Sequence, residues 1–208
     1  MSRVALALVC SLVATGCHSK FKKHVGSIDD VRPDMVVPGG PYVALGGVQG
    51  DSLLAAAVNV TQGVKSIDLT RRVSSAVDPG PVTDAFLTEM DLALGKGPPF
   101  DLDSRSDTVL QISMDGYGIE VAALGMPGVL TYNLSTRIYL PDGERVYTAG
   151  HNCAVSFGDP KAVSVVLGAV NNSRAIKDMS DQEIQDMFEG GARWCAQQTV
   201  LRIRRHGG

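Results

Sequence analysis

The stretch between Thr108 and Phe157, in which apolar and polar residues alternate, constrains the fold of this chain most. Successive side chains of a β-strand point to opposite faces, so a period of two predicts strands with one buried face. Three such strands follow one another, and the sequence Pro141-Asp142-Gly143, typical of a hairpin turn, joins the last two. The pattern therefore predicts an antiparallel β-meander over about residues 108–157.

Two glycines interrupt the first of these strands. Leu110, Ile112 and Met114 share one face, whereas the apolar residues beyond Gly116-Tyr117-Gly118 have the opposite parity. A change of parity within a strand predicts a β-bulge or a bend. This Gly-x-Gly is not a dinucleotide-binding motif, because neither a third glycine nor a helix follows it.

Helices are predicted on both sides of the meander. Upstream, helices are expected over about residues 53–76, behind the glycine turn 46–52, and from Val82 to Leu94, where apolar residues recur with helical spacing. Downstream, Asp159-Pro160 is typical of a helix start with proline in the first turn. Together with the strands, these helices predict an α+β fold.

The last helix carries the clearest start signal in the chain. Ser180-Asp181-Gln182-Glu183 matches a capping box, in which serine and glutamate satisfy free backbone N–H groups. Helical spacing places six residues on the face of this helix that points into the core: Ile184, Met187, Phe188, Gly191, Ala192 and Cys195. Trp194 borders this inner face, where it either packs on the flank of the core or marks a contact surface.

The N-terminus has the composition of an export signal. Arg3 precedes an apolar run over residues 4–13, which ends in Ala14-Thr15-Gly16-Cys17. Because a transmembrane helix needs about 20 apolar residues, this run is too short to cross a bilayer. It is typical of a signal peptide that is removed.

The end of this signal resembles the lipobox of bacterial lipoproteins, with small residues before the cysteine and Val13 or Ala14 at its leucine position. The resemblance implies a signal peptide over residues 1–16 and a lipid on Cys17, which would anchor the mature chain to a membrane. His18, in place of an aspartate, implies the outer membrane by analogy with proteobacterial lipoproteins. The alternative is an ordinary secretory signal with an incidental cysteine.

Residues 17–41 are expected to form a tether between the lipid and the folded domain, with packing of Met35-Val36-Val37 on the domain as the alternative for that part. The segment has a mixed composition and contains the breaker cluster Pro38-Gly39-Gly40-Pro41. A flexible chain of this length would span about 25 to 30 Å on average. The remaining residues, 42–208, are then expected to form a single α+β periplasmic domain.

Two cysteines remain if Cys10 leaves with the signal and Cys17 carries lipid. Exported proteins can keep disulfides, and both Cys153 and Cys195 lie on faces that are predicted to point into the core. The pair is therefore expected to form a disulfide. The alternative is a zinc or redox site with His151, although the close C-x-x-C spacing of such sites is absent.

No catalytic, cofactor-binding or metal-ligating residue is predicted. The glycine turn 46–52 lacks the Lys-Ser/Thr of a phosphate-binding loop, and the acidic stretch 101–107 lacks the glycine and glutamate of a calcium loop. His151 lies on an apolar strand face without a nucleophile signature near it. A net charge of −3 argues against nucleic acid as a partner.

These features favour a non-enzymatic lipoprotein at the bacterial outer membrane, facing the periplasm and binding another envelope protein. In outline the chain is similar to small α+β accessory lipoproteins of envelope transport and assembly systems, a resemblance that is specific only at the lipobox. A carrier of lipids or small ligands is the first alternative, and an envelope hydrolase is the second.

Overall fold

The three alternating segments form the longest strands of a six-stranded sheet, which is seen in a computed structural model of the chain. The structure describes residues 19–37, 39–45, 53–121, 128–156 and 173–207. Helices and a mixed sheet share one hydrophobic core, and the predicted α+β class is therefore confirmed. The predicted lipidation site Cys17, the glycine turn 46–52 and the helix start at Asp159 lie outside the described residues.

The meander is confirmed within residues 109–156. Strand β4 (Val109–Val121) pairs antiparallel with β5 (Val129–Tyr139), which pairs antiparallel with β6 (Arg145–Ser156). The hairpin turn closes with a hydrogen bond of 2.9 Å from the Leu140 N–H to the Glu144 carbonyl oxygen. The predicted bulge is also confirmed, because the β4–β5 register shifts between Met114 and Gly116.

Three further strands extend the sheet beyond the predicted meander. Strands β1 (Asp30–Val36) and β2 (Tyr42–Leu45) lie one after the other along β4, and both pair with it in parallel. Strand β3 (Asp101–Leu102) pairs in parallel with β1. The strand order β3-β1-β4-β5-β6 leaves β6 at an edge.

The predicted tether over residues 17–41 is wrong for residues 19–34, which belong to the folded domain. The alternative for residues 35–37 is confirmed, because Met35 and Val37 pack against the core. Strand β1 joins the sheet with Val31 fully buried, and residues 19–24 form a first helix, α1. The ring of Phe21 is fully buried, with its centroid 4.7 Å from that of Tyr147. Burial of these apolar side chains holds the segment on the domain, although its proline and charged residues are typical of a linker.

The helices after α1 are α2 (Leu53–Ala76), α3 (Pro79–Leu94), α4 (Ser173–Asp178) and α5 (Asp181–Gly207). The capping box of α5 is confirmed: the Ser180 N–H donates to Glu183 Oε2 at 2.7 Å, and the Glu183 N–H donates to Ser180 Oγ at 3.2 Å. All six residues predicted on the inner face of α5 are buried. None of the helices in the described ranges is long and apolar enough to cross a membrane.

Helix α5 approaches the sheet closely at Gly191. A Cβ atom there would lie 2.5 Å from Tyr132 Oη, well inside van der Waals contact. The buried Tyr132 hydroxyl donates a hydrogen bond of 2.7 Å to the Phe188 carbonyl oxygen on the same helix. A glycine is therefore required where the tyrosine of β5 passes beneath α5.

The C-terminal part of α5 also holds the end of α3. Arg204 Nη2 donates to the carbonyl oxygens of Ala93, Leu94 and Gly97 at 2.9, 3.2 and 2.8 Å, and its Nε donates to the Pro98 carbonyl oxygen at 2.7 Å. The last carbonyls of a helix have no partner within the helix. This arginine supplies such partners and joins the two helices.

Candidate binding site at the edge of the sheet

Helix α5 is joined to the edge strand β6 at three points. The Cys153–Cys195 disulfide lies at one end, with a Cα–Cα distance of 5.8 Å, and confirms the predicted pairing. In the middle, Thr199 Oγ1 lies 3.3 Å from His151 Nε2. At the other end, the Tyr147 hydroxyl lies 3.1 Å from His206 Nδ1. The helix and the strand therefore run in opposite directions, with a fixed separation.

A groove of about 380 Å³ runs between these two elements, and we call it the edge groove. One wall is the stretch 151–154 of β6. The other wall is a stripe on α5, whose members are three, four or one residue apart and so share a helix face. The stripe consists of Trp194, Gln198, Leu201, Arg202 and Arg205.

The outer side of β6 borders this groove. Gly150, Asn152 and Ala154 are exposed, and no strand of the described ranges pairs with β6 on the side away from β5. An edge strand presents alternate backbone N–H and C=O groups that are free to pair with another strand. The edge groove thus combines side chains of a helix with a row of backbone donors and acceptors.

Two buried polar atoms at the groove have no hydrogen-bond partner within the described part of the chain: His151 Nδ1 and Arg202 Nε. The Thr199 hydroxyl donates to the Cys195 carbonyl oxygen at 2.9 Å, so its oxygen is free to accept from His151. From this network we assign the His151 proton to Nε2, which leaves Nδ1 as an acceptor. The site therefore offers one unpaired acceptor and one unpaired donor.

The electrostatics of the edge groove are positive. Burial lowers the pKa of His151, and the nearby charge of Arg202 lowers it further. The imidazole is therefore neutral at neutral pH, because the charged form is disfavoured by both effects. Of the described residues that line the groove, Arg202 and Arg205 are cationic, and none carries a carboxylate.

A second cleft, of about 500 Å³, lies beside α1. Val25 and Gly26 line one side, and the loop 96–99 lines another, together with Arg204 and Gly207. The guanidinium of Arg204 is already bonded to four carbonyl oxygens. This cleft therefore lies where the N-terminal segment, the loop 96–99 and the end of α5 meet.

The structure brings three of the predicted residues of interest together. Cys153, Cys195 and His151 are neighbours, but the two cysteines form a disulfide, so the alternative zinc site with His151 is wrong. Among the residues that the structure describes, no group of three His, Cys, Asp or Glu side chains is placed to hold a metal ion. Trp194 packs partly against the core and also lines the groove.

The comparisons with known proteins give no family for the chain. No family model matches it, and no curated protein matches it. One similar solved structure is described as "Crystal structure of uncharacterized protein". It has 10% sequence identity and a TM-score of 0.37, over 85% of this chain and 92% of that chain.

Proposed function

We propose that this protein is a non-enzymatic, lipid-anchored protein of the bacterial outer membrane that binds another envelope protein in the periplasm. The observation that carries the proposal is the edge groove, in which an open strand edge lies beside a helix stripe containing Trp194 and Leu201. Leu201 is 51% exposed although it is a large apolar residue. Exposed apolar residues beside aromatic and arginine side chains are typical of protein contact surfaces.

The anchor is supported by the lipobox-like sequence and by the position of α1. Helix α1 is described from residue 19, two positions after Cys17, and Phe21 is packed in the core. A lipid on Cys17 would therefore hold the folded domain directly at the bilayer surface. Lys22 and Lys23 are exposed there, and each contributes about 1 kcal/mol of attraction near an anionic leaflet.

We expect Cys17→Ala to abolish lipidation. Cells that express the full-length protein would be fed a fatty-acid analogue with a clickable group, and labelled protein would be compared after immunoprecipitation. Loss of label is expected because the thiol of Cys17 is the proposed attachment point. Cys10→Ala is the matched control, since it removes a cysteine from the predicted signal and should leave the label intact. Label that persists in Cys17→Ala would refute the anchor.

We expect a photo-crosslinking amino acid at Gln198 to capture a specific partner in intact envelopes. Gln198 lies in the stripe between Trp194 and Arg202, so its side chain faces whatever occupies the groove. Gln182 is the matched control, because it is exposed on the first turn of the same helix. A discrete light-dependent adduct is expected at Gln198 alone. Absence of an adduct, or equal adducts at both positions, would contradict the proposed binding function.

A further inference from the structure

We infer that the edge groove binds an extended, acidic peptide segment of the partner, which adds to the outer side of β6 as a further strand. This inference rests on the proposed function and specifies the chemistry of the bound partner. Strand β6 has 12 residues and forms the edge of the sheet in the described structure. Strand addition uses the backbone groups of such an edge for affinity and neighbouring pockets for specificity.

The unpaired polar atoms show that the side chains beneath the groove are polar. His151 Nδ1 can accept a hydrogen bond and Arg202 Nε can donate one, and both atoms are buried beside the groove. A polar peptide segment suits such surroundings better than a purely apolar ligand, because burying polar groups without a partner is costly.

The spacing of the helix stripe matches the spacing of a strand. Four residues of α-helix rise about 6 Å, and two residues of β-strand rise about 6.6 to 6.8 Å. Trp194, Gln198 and Arg202 are four residues apart, so they can face every second side chain of a strand that runs along α5. The bound segment should therefore present three side chains on one face, at positions i, i+2 and i+4.

The chemistry of the stripe predicts what those side chains are. Trp194 favours an apolar side chain at one end of the face, whereas Arg202 and Arg205 favour a carboxylate at the other. The segment is thus expected to have an apolar residue and an acidic residue four positions apart, in either chain direction. Charge complementarity favours a partner of this kind over a second copy of β6, which would bring the same arginines together.

A displayed library of random nine-residue peptides tests this inference directly. It would be panned against the full-length protein, purified in detergent with its disulfide intact. We expect the enriched peptides to share the apolar-to-acidic spacing of four. Their affinity should fall at least tenfold in Arg202→Gln and in Arg205→Gln. Arg193→Gln is the matched control on an exposed position of α5, and it should change the affinity less than twofold.

Backbone pairing is tested with the same peptides. N-methylation at alternate residues should abolish binding in one register and be tolerated in the other, because only alternate N–H groups of an added strand point to β6. Thermal melting and disulfide mapping would establish that the arginine variants remain folded. The inference is wrong if no peptide is enriched, if the enriched peptides lack the acidic residue, or if both N-methylated sets bind equally.

Hydrogen exchange in the isolated protein tests whether another segment of the chain or a second copy already covers this edge. We expect the outward amides of β6 to exchange freely without peptide and to be protected when it is bound. Protection in the isolated protein, by residues 157–172 of this chain or by a second copy, would overturn the inference. A specific adduct at Gln198 together with no acidic peptide binder would keep the proposed function and reject this mode of binding.

Discussion

Replacing Cys153 and Cys195 together with alanine is expected to lower the free energy of unfolding by about 2 to 4 kcal/mol. The two residues are 42 positions apart, so the disulfide removes many conformations from the unfolded chain. Both cysteines are also buried, with 3% and 0% exposure, and lie in the contact between β6 and α5. Their loss removes the covalent connection and the sulfur atoms from the core.

This effect would be measured by urea denaturation of the oxidised protein and of the double variant. For a chain of this size, each kcal/mol corresponds to about 2 to 4 °C in Tm, so thermal melting gives a second measurement. Reduction of the wild-type protein should lower its stability to nearly that of the variant. Reduction of the double variant is the control, because that variant has no Cys153–Cys195 disulfide and its stability should not change. An unchanged denaturation midpoint in the double variant would mean that the disulfide contributes nothing to stability.

Gly191→Ala is expected to destabilise the protein by about 2 to 4 kcal/mol, because overpacking and loss of a buried hydrogen bond add together. The new methyl group would lie 2.5 Å from Tyr132 Oη and 2.9 Å from Tyr132 Cε2. Tyr132 is fully buried and cannot move aside without breaking its bond to the Phe188 carbonyl oxygen. Either α5 or β5 must therefore shift.

A double-mutant cycle with Tyr132→Phe tests the cause of this destabilisation. Removing the hydroxyl relieves the closest contact, so the double variant should be more stable than the sum of the two single changes predicts. Gly26→Ala is the matched control, because a Cβ atom there meets nothing within 4 Å. It should change stability by less than about 0.5 kcal/mol. Strictly additive effects of Gly191→Ala and Tyr132→Phe would contradict the steric explanation.

Local patterns in the sequence predicted those elements of the fold that short-range interactions determine. The meander, its hairpin turn and the capping box at Ser180 each depend on residues close together in sequence. Strand β1 was not predicted, because a segment that contains Pro33 and several charged residues resembles a linker. Its partner in the sheet, β4, begins more than 70 residues later, at Val109. No short-range pattern can reveal a parallel pairing of this kind.

The candidate site was only partly predictable. The disulfide followed from two separate periodicities that placed Cys153 and Cys195 on inward faces. The edge groove did not follow, because the sequence does not reveal which strand ends at the edge of a mixed sheet. Its one signal was the stripe from Trp194 to Arg205, which runs beside the apolar face of α5. Of this stripe, Trp194 alone was singled out from the sequence, as a residue of either the core flank or a contact surface.

The packing of Phe21 against Tyr147 sets the orientation of the edge groove for an anchored chain. Tyr147 lies at one end of the contact between β6 and α5, and the disulfide at Cys153 lies at the other. Six residues of strand separate them, which is about 20 Å. A bilayer at α1 would meet the Tyr147 end, and the groove would extend away from the lipid. A partner strand in the groove would then lie roughly perpendicular to the membrane surface.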